Sequence, residues 1–310
     1  MKIKTLFITG LLALSVNCSG PSSIDDSDSK TIQLNPVYAR QGMEFFEKKQ
    51  YLQAIKKFDK AILSKPDFMG AYFQRGLSYF YLKKYDEALR DFNKCASLQN
   101  KSYAVYYFRG LTYSMIKKFG SAEKDFTKSI RLRPRFAPPY YQRGLIYYNV
   151  KNMKKAGRDF NQFVKISPNK AFGFYYLGMV QFEQRRYLNS IKKFSRSIKL
   201  KKKFYQGYAE RAKSYAVLKK YKKAIKDIAK AIKLNPKYST SYYYRSLIYL
   251  SQKKYKKAMK DLNRSIKLNP RDARYYYTRS TVYSKLGKDE KAVKDYDKGM
   301  LLDPKVKSKS

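Results

Sequence analysis

One pattern of residue types recurs eight times in this chain, 34 residues apart, with no insertion or deletion between Asn35 and Val306. An aromatic at its fourth position sets the frame: Tyr38, Tyr72, Tyr106, Tyr140, Phe174, Tyr208, Tyr242 and Tyr276. Four residues later stands a small residue: Gly42, Gly76, Gly110, Gly144, Gly178, Ala212, Ser246 and Ser280. Twelve after that comes another: Ala54, Ala88, Ala122, Ala156, Ser190, Ala224, Ala258 and Ala292. Proline closes six units, at Pro66, Pro134, Pro168, Pro236, Pro270 and Pro304. A strict period of this length makes each unit one supersecondary element stacked on its neighbours, and it argues against an enzyme.

Within a unit the apolar residues fall at helical spacing in two blocks, as in Tyr72 and Tyr79 followed by Ala88, Phe92 and Ala96. Breaks such as Lys83-Lys84 and Lys253-Lys254 separate the blocks. Small residues at the eighth and twentieth positions let two antiparallel helices approach closely. Large aromatics such as Tyr140, Tyr147 and Phe160 fill the space beside them. Proline lacks a backbone donor and stops the second helix. A lone hairpin cannot bury its apolar face, so hairpins stack.

The pattern resembles the tetratricopeptide repeat over about nine tenths of the chain. The resemblance implies an all-α, right-handed superhelical solenoid of eight helix-turn-helix repeats. Their bounds are 35–68, 69–102, 103–136, 137–170, 171–204, 205–238, 239–272 and 273–306, with a tail at 307–310.

Six repeats carry Arg at the seventh position, and the same six carry Asp at the twenty-third. The pairs are Arg75/Asp91, Arg109/Asp125, Arg143/Asp159, Arg211/Asp227, Arg245/Asp261 and Arg279/Asp295. The other two repeats have Gln41 with Lys57 and Leu177 with Lys193. Helices that bring the eighth position to the twentieth also bring the seventh near the twenty-third. These pairs are therefore expected to be structural ion pairs rather than catalytic or ligand-binding acids.

Residues 1–17 read as an export signal, with a basic start at Lys2 and Lys4 and an apolar stretch from Thr5 to Val16. That stretch is shorter than the roughly 20 residues a membrane span needs. Cys18 follows, and residues 18–34 lead on from it with the acidic cluster Asp25, Asp26 and Asp28. The arrangement resembles a bacterial lipoprotein precursor, which implies acylation of Cys18 as a membrane anchor and a flexible tether beyond it. It departs from that pattern by placing Leu14 one place early and Asn17 where Gly or Ala is usual. Cleavage elsewhere, with Cys18 incidental, is the alternative. Cys95 stands at the twenty-seventh position, where other repeats have Ala61 or Ser129, and reads as a small packed residue.

The formal charge of +46 belongs to the repeats, because residues 1–34 sum to zero. The twenty-second position is basic throughout: Lys56, Arg90, Lys124, Arg158, Lys192, Lys226, Lys260 and Lys294. On stacked repeats these form a basic ridge able to meet anionic lipid, cell-wall polymer or host glycan. A solvated, Lys-rich surface of compositional origin has the same appearance. An exported chain without a DNA- or RNA-reading motif is a poor candidate for a nucleic-acid partner.

In proteins that this chain resembles, the first helices line a groove that holds a partner's peptide or helix. The matching positions here carry Phe46, Phe73, Leu77, Phe80, Tyr107, Leu111, Tyr141, Leu145, Tyr148, Tyr175, Met179 and Phe182. An exposed apolar stripe of this size marks a binding site, although a Tyr/Leu stripe at helical spacing is also what a packed core presents. Relatives that clamp a terminal carboxylate use Lys and Asn where Phe73, Leu77, Tyr107 and Leu111 stand, so that partner class is not expected. The last repeat has Asp289 in place of an aromatic or Met, and little chain follows to cover Val293, Met300 and Leu301.

These features lead to a noncatalytic interaction scaffold, lipid-anchored in the cell envelope and binding a protein in its groove. A charge-driven surface binder is the second reading. A hydrolase using paired carboxylates is the remote third. The chain has no His, no phosphate-cradling Gly loop and no Cys cluster, so neither metal nor cofactor is expected.

Overall fold

The computed structural model describes residues 35–99 and 101–303, and they are all-α. The helices come in consecutive antiparallel pairs. They are α1 (Asn35–Glu47), α2 (Tyr51–Ser64), α3 (Met69–Tyr81), α4 (Tyr85–Leu98), α5 (Tyr103–Met115), α6 (Phe119–Leu132), α7 (Pro138–Asn149) and α8 (Met153–Ile166). After these come α9 (Ala171–Glu183), α10 (Tyr187–Leu200), α11 (Tyr205–Val217), α12 (Tyr221–Leu234), α13 (Ser239–Ser251), α14 (Tyr255–Leu268), α15 (Ala273–Lys285) and α16 (Asp289–Leu302). Among the described residues no helix is long and apolar enough to cross a membrane. The segment expected to act as an export signal, the expected acylation site Cys18 and the expected tether lie outside the described residues.

Each hairpin turns through a left-handed residue at the fifteenth position of the repeat. Lys83 has φ +63°, and its amide donates to the Phe80 carbonyl at 3.0 Å. The next amide, on Lys84, donates to the Tyr79 carbonyl at 2.9 Å, and the Lys84 carbonyl then accepts from Ala88 to begin the second helix. This closing pattern satisfies the orphan carbonyls of the first helix, and it usually employs Gly. Here seven repeats use Lys or Arg, and Gly287 alone follows the usual preference.

Two compact units divide between Ile166 and Ser167. In the first, Phe58, Phe92, Phe126 and Phe160 at the twenty-fourth position are fully buried, each worth about 2–3 kcal/mol of transfer free energy. The small eighth residue exists for these rings: a Cβ added to Gly76 would sit 2.9 Å from Phe92 Cε1. In the second unit Phe194, Ile228 and Leu262 take the same place. Its last repeat breaks the pattern, and Val293, Tyr296 and Leu301 are exposed.

All six Arg/Asp pairs are two-pronged. Arg143 donates from Nε and Nη2 to Asp159 at 2.8 Å each, and its Nη1 reaches Thr127 Oγ1 of the preceding repeat at 2.9 Å. Arg75 likewise holds Asp91 and reaches back to Asp59, and Arg211 holds Asp227 and reaches Ser195. Arg109 with Asp125, Arg245 with Asp261 and Arg279 with Asp295 bond at 2.6–2.8 Å. Arg109 and Arg279 also reach back, to Asn93 and Asn263, so the guanidinium ties its own hairpin together and in five of the six pairs links it to the one before. Two further bonds recur. Tyr140, Tyr242 and Tyr276 donate to the carbonyls of Pro134, Pro236 and Pro270. Cys95, Ser129, Ser197 and Ser265 donate to the first residue's carbonyl in their own repeats.

Candidate binding face

First helices of successive repeats touch within each unit, α1 with α3 and α5 in turn, and α9 with α11, α13 and α15 in turn. They carry the residues proposed for the groove. Leu77, Phe80, Tyr107, Leu111, Tyr141 and Leu145 are buried, and this corrects their expected exposure. In the third repeat the cause is the aromatic at the thirty-fourth position, which folds back over the stripe. Phe136 packs edge-on against Tyr107 at 5.2 Å, while Phe126 flanks the same ring at 6.1 Å. Tyr141 is enclosed by Phe160 and Phe163. These side chains are core.

Phe46, Phe73, Tyr148, Tyr175, Met179 and Phe182 remain half-buried. Of these, Phe46 and Phe73 belong to aromatic clusters of the first unit, with Tyr51 and Tyr81 and with Phe92 and Phe108 respectively. Tyr175 and Phe182 border a different kind of surface in the second unit, where a buried carboxylate meets cations and rings.

Glu210, on α11, is buried and accepts a 2.9 Å hydrogen bond from the Tyr244 hydroxyl of α13. Burial pushes its carboxyl above the ordinary value, opposed first by the charge of Lys213 and then by the Tyr244 bond. Burial also pushes the Tyr175 and Tyr244 phenols well above theirs, with the Glu210 charge adding to the effect. Lys213 is half-buried, its ammonium 4.0 Å from the Phe182 ring centroid and 5.7 Å from that of Tyr244. A desolvated cation on a ring face in this way gains about 1–2 kcal/mol. Arg274 lies 5.4 Å over Tyr243 and forks onto Asp272 at 2.7 and 2.9 Å.

The result is an aromatic floor of Tyr175, Phe182, Tyr243 and Tyr244 carrying one half-buried ammonium. Among the described residues no acid lies within salt-bridge distance of Lys213. Sequence reasoning passed over Glu210 and Lys213. The available signal was the sixth position, which elsewhere holds Arg, Gln, Phe, Tyr or Thr and an acid only at Glu210.

The eight residues of the basic ridge, Lys56, Arg90, Lys124, Arg158, Lys192, Lys226, Lys260 and Lys294, are all exposed on the second helices. Glu123, one of the scattered acids, accepts from the Tyr147 hydroxyl at 2.6 Å. Among the described residues no group of acids or thiols is placed to hold a metal.

No curated protein sequence matches the chain. Solved structures do resemble it. The C-terminal part of a TPR repeat-containing protein from Cytophaga hutchinsonii is 22% identical, with a TM-score of 0.62 over 77% of this chain and 98% of that one. YrrB, described as a TPR protein with an unusual peptide-binding site, is 18% identical, with a TM-score of 0.55 over 61% and 97%. The Cut9–Hcn1 hetero-tetramer of APC/C is 16% identical, with a TM-score of 0.62 over 86% and 53%. At these identities the likeness is one of fold. Tetratricopeptide repeat family models match residues 70–101, 103–136, 137–170, 205–238 and 273–306, and a TPR repeat model matches 246–287. The first five spans follow the frame of the 34-residue period and the sixth straddles two repeats, and the chain belongs to the tetratricopeptide repeat family.

Proposed function

We propose that this protein is a noncatalytic scaffold that holds a segment of a partner protein, extended or helical, along the first-helix face of residues 167–303. Acylated Cys18 anchors it to a membrane of the bacterial envelope. The observation that carries the binding assignment is Lys213, held half-buried on an aromatic floor beside a buried carboxylate and without a salt-bridge partner among the described residues. A partner carboxylate or backbone carbonyl would complete the ammonium, and apolar side chains would lie on Phe182 and Tyr243. Among proteins of similar fold, YrrB is described as having an unusual peptide-binding site and Cut9–Hcn1 as a hetero-tetramer, which supports a partner-binding reading.

The test is capture from envelope extract with the full chain as bait, washed in about 1 M salt, where the Debye length is about 3 Å. A protein retained by the parent and lost with Lys213→Glu and Tyr243→Ala supports the assignment. Retention undiminished by both substitutions overturns it. The exposure of all eight ridge cations supports a second reading, docking onto an anionic lipid or polymer. Capture that vanishes entirely in high salt would favour that reading.

A further inference from the structure

The fifth repeat is one of two that lack the Arg/Asp pair, having Leu177 and Lys193 in those places. The two exceptions differ in structure. In the first repeat Lys57 lies over the Tyr38 ring at 6.0 Å. In the fifth, Lys193 faces a cleft of about 290 Å³ lined by Gln181, Arg186, Asn189, Lys192 and Lys193. Arg186, Asn189 and Lys193 are three and four residues apart at the start of α10, so they share one side of that helix. Gln181 faces them from α9, and its buried Oε1 has no hydrogen-bond partner among the described residues. Nor do Arg186, Lys192 or Lys193 make an ion pair among those residues. Three cations therefore converge on an open cleft whose remaining walls are two amides.

We propose that this cleft binds a phosphoryl dianion, as free phosphate or as a phosphate monoester. One carboxylate would leave two of the three cations uncompensated, whereas a dianion with several acceptor oxygens suits them. Arg186 offers a planar fork for two oxygens, and the lysines act as point charges beside it. Asn189 can donate its amide hydrogens to a third oxygen, and so can Gln181 once its unpartnered amide is turned. The same position in the six regular repeats is closed to anions by its aspartate. The site lies on α9 and α10 and does not depend on the face assigned to the protein partner.

The experiment is titration of the full chain with inorganic phosphate, read by calorimetry and by ³¹P line broadening, with sodium chloride matching ionic strength. Glycerol 3-phosphate is titrated in parallel. The decisive variant is Leu177→Arg with Lys193→Asp, which installs the pair that six repeats already fold around. Phosphate binding weakened at least about tenfold by this variant, or equivalently by about 1.4 kcal/mol, is expected. Lys193→Gln, which removes one charge and adds no pair, should weaken it as well. Tighter binding of the ester than of the free ion would assign the cleft to a phosphate carried on a larger molecule, and the reverse to phosphate itself. Equal affinity in parent and double variant overturns the proposal. So does the absence of any response to phosphate up to about 20 mM, a free energy of about 2.3 kcal/mol.

Discussion

Removing Asp159 should cost more than any surface substitution, and the structure sets the size. Its carboxylate receives two bonds of 2.8 Å from Arg143, and the side chains are 6% and 16% exposed. Charge-assisted bonds are worth about 1.5–3 kcal/mol each, and stranding a fully buried charge costs about 3–5 kcal/mol. Asp159→Ala strands Arg143, which keeps Thr127 and some water, so the cost should be about 2–4 kcal/mol. That corresponds to a fall of about 4–16 °C in melting temperature. Arg143→Leu strands the more buried partner and should cost at least as much.

The double variant Arg143→Leu with Asp159→Leu removes both charges, and buried pairs replaced by apolar side chains are often neutral. Leu177, fully buried at the same position of the fifth repeat, shows that the backbone accommodates the change. The double variant should therefore melt within about 1 kcal/mol of the parent. Thermal and urea unfolding near neutral pH measure these four proteins and the Asp159→Leu single variant that closes the cycle. Single effects that simply add would refute the reasoning, and so would an Asp159→Ala melt coincident with the parent.

Glu210 titrates above its unfolded value of about 4.3, so its contribution to stability is complete below that pH and is lost as pH rises through the folded value. Glu210→Gln should accordingly melt above the parent at about pH 8, with the difference vanishing near pH 4; a constant difference would contradict the burial argument. Gly287 has φ +66° and open space around a built Cβ, so Gly287→Ala isolates the backbone term and should cost about 1 kcal/mol in a urea melt. Lys253→Gly, at φ +58°, should be neutral or stabilising by up to about 1 kcal/mol, since relief of the left-handed strain is offset by glycine's entropy. Cys95 is fully buried, and burial pushes its thiol up to about 12. In a Cys18→Ser chain, alkylation of Cys95 should then proceed only at the rate of unfolding, and labelling as fast as that of a free thiol would contradict its placement.

A repeated sequence exposes its invariants and conceals its exceptions. Arg at the seventh position and Asp at the twenty-third appear and disappear together, so their contact could be read from the chain before any coordinates. The small eighth residue facing the ring at the twenty-fourth was equally plain. The burial of Tyr107 was not, because the ring that covers it, Phe136, stands two residues after a proline and reads as loop. Where the thirty-fourth position holds Lys170 instead, Tyr141 is buried by Phe160 and Phe163 of its own second helix. The left-handed lysines escaped notice for the opposite reason: the rule for such turns looks for glycine, and only Gly287 obeys it. Glu210 and Lys193 were visible as departures from the period, yet their chemistry depends on neighbours 12 to 64 residues away, Gln181 for Lys193 and Tyr244 with Phe182 and Arg274 for Glu210. Stacking gives every repeat the same backbone and the same small set of facing positions. A single departure therefore acquires meaning only through what the adjoining helices place opposite it, which is where both candidate sites arise.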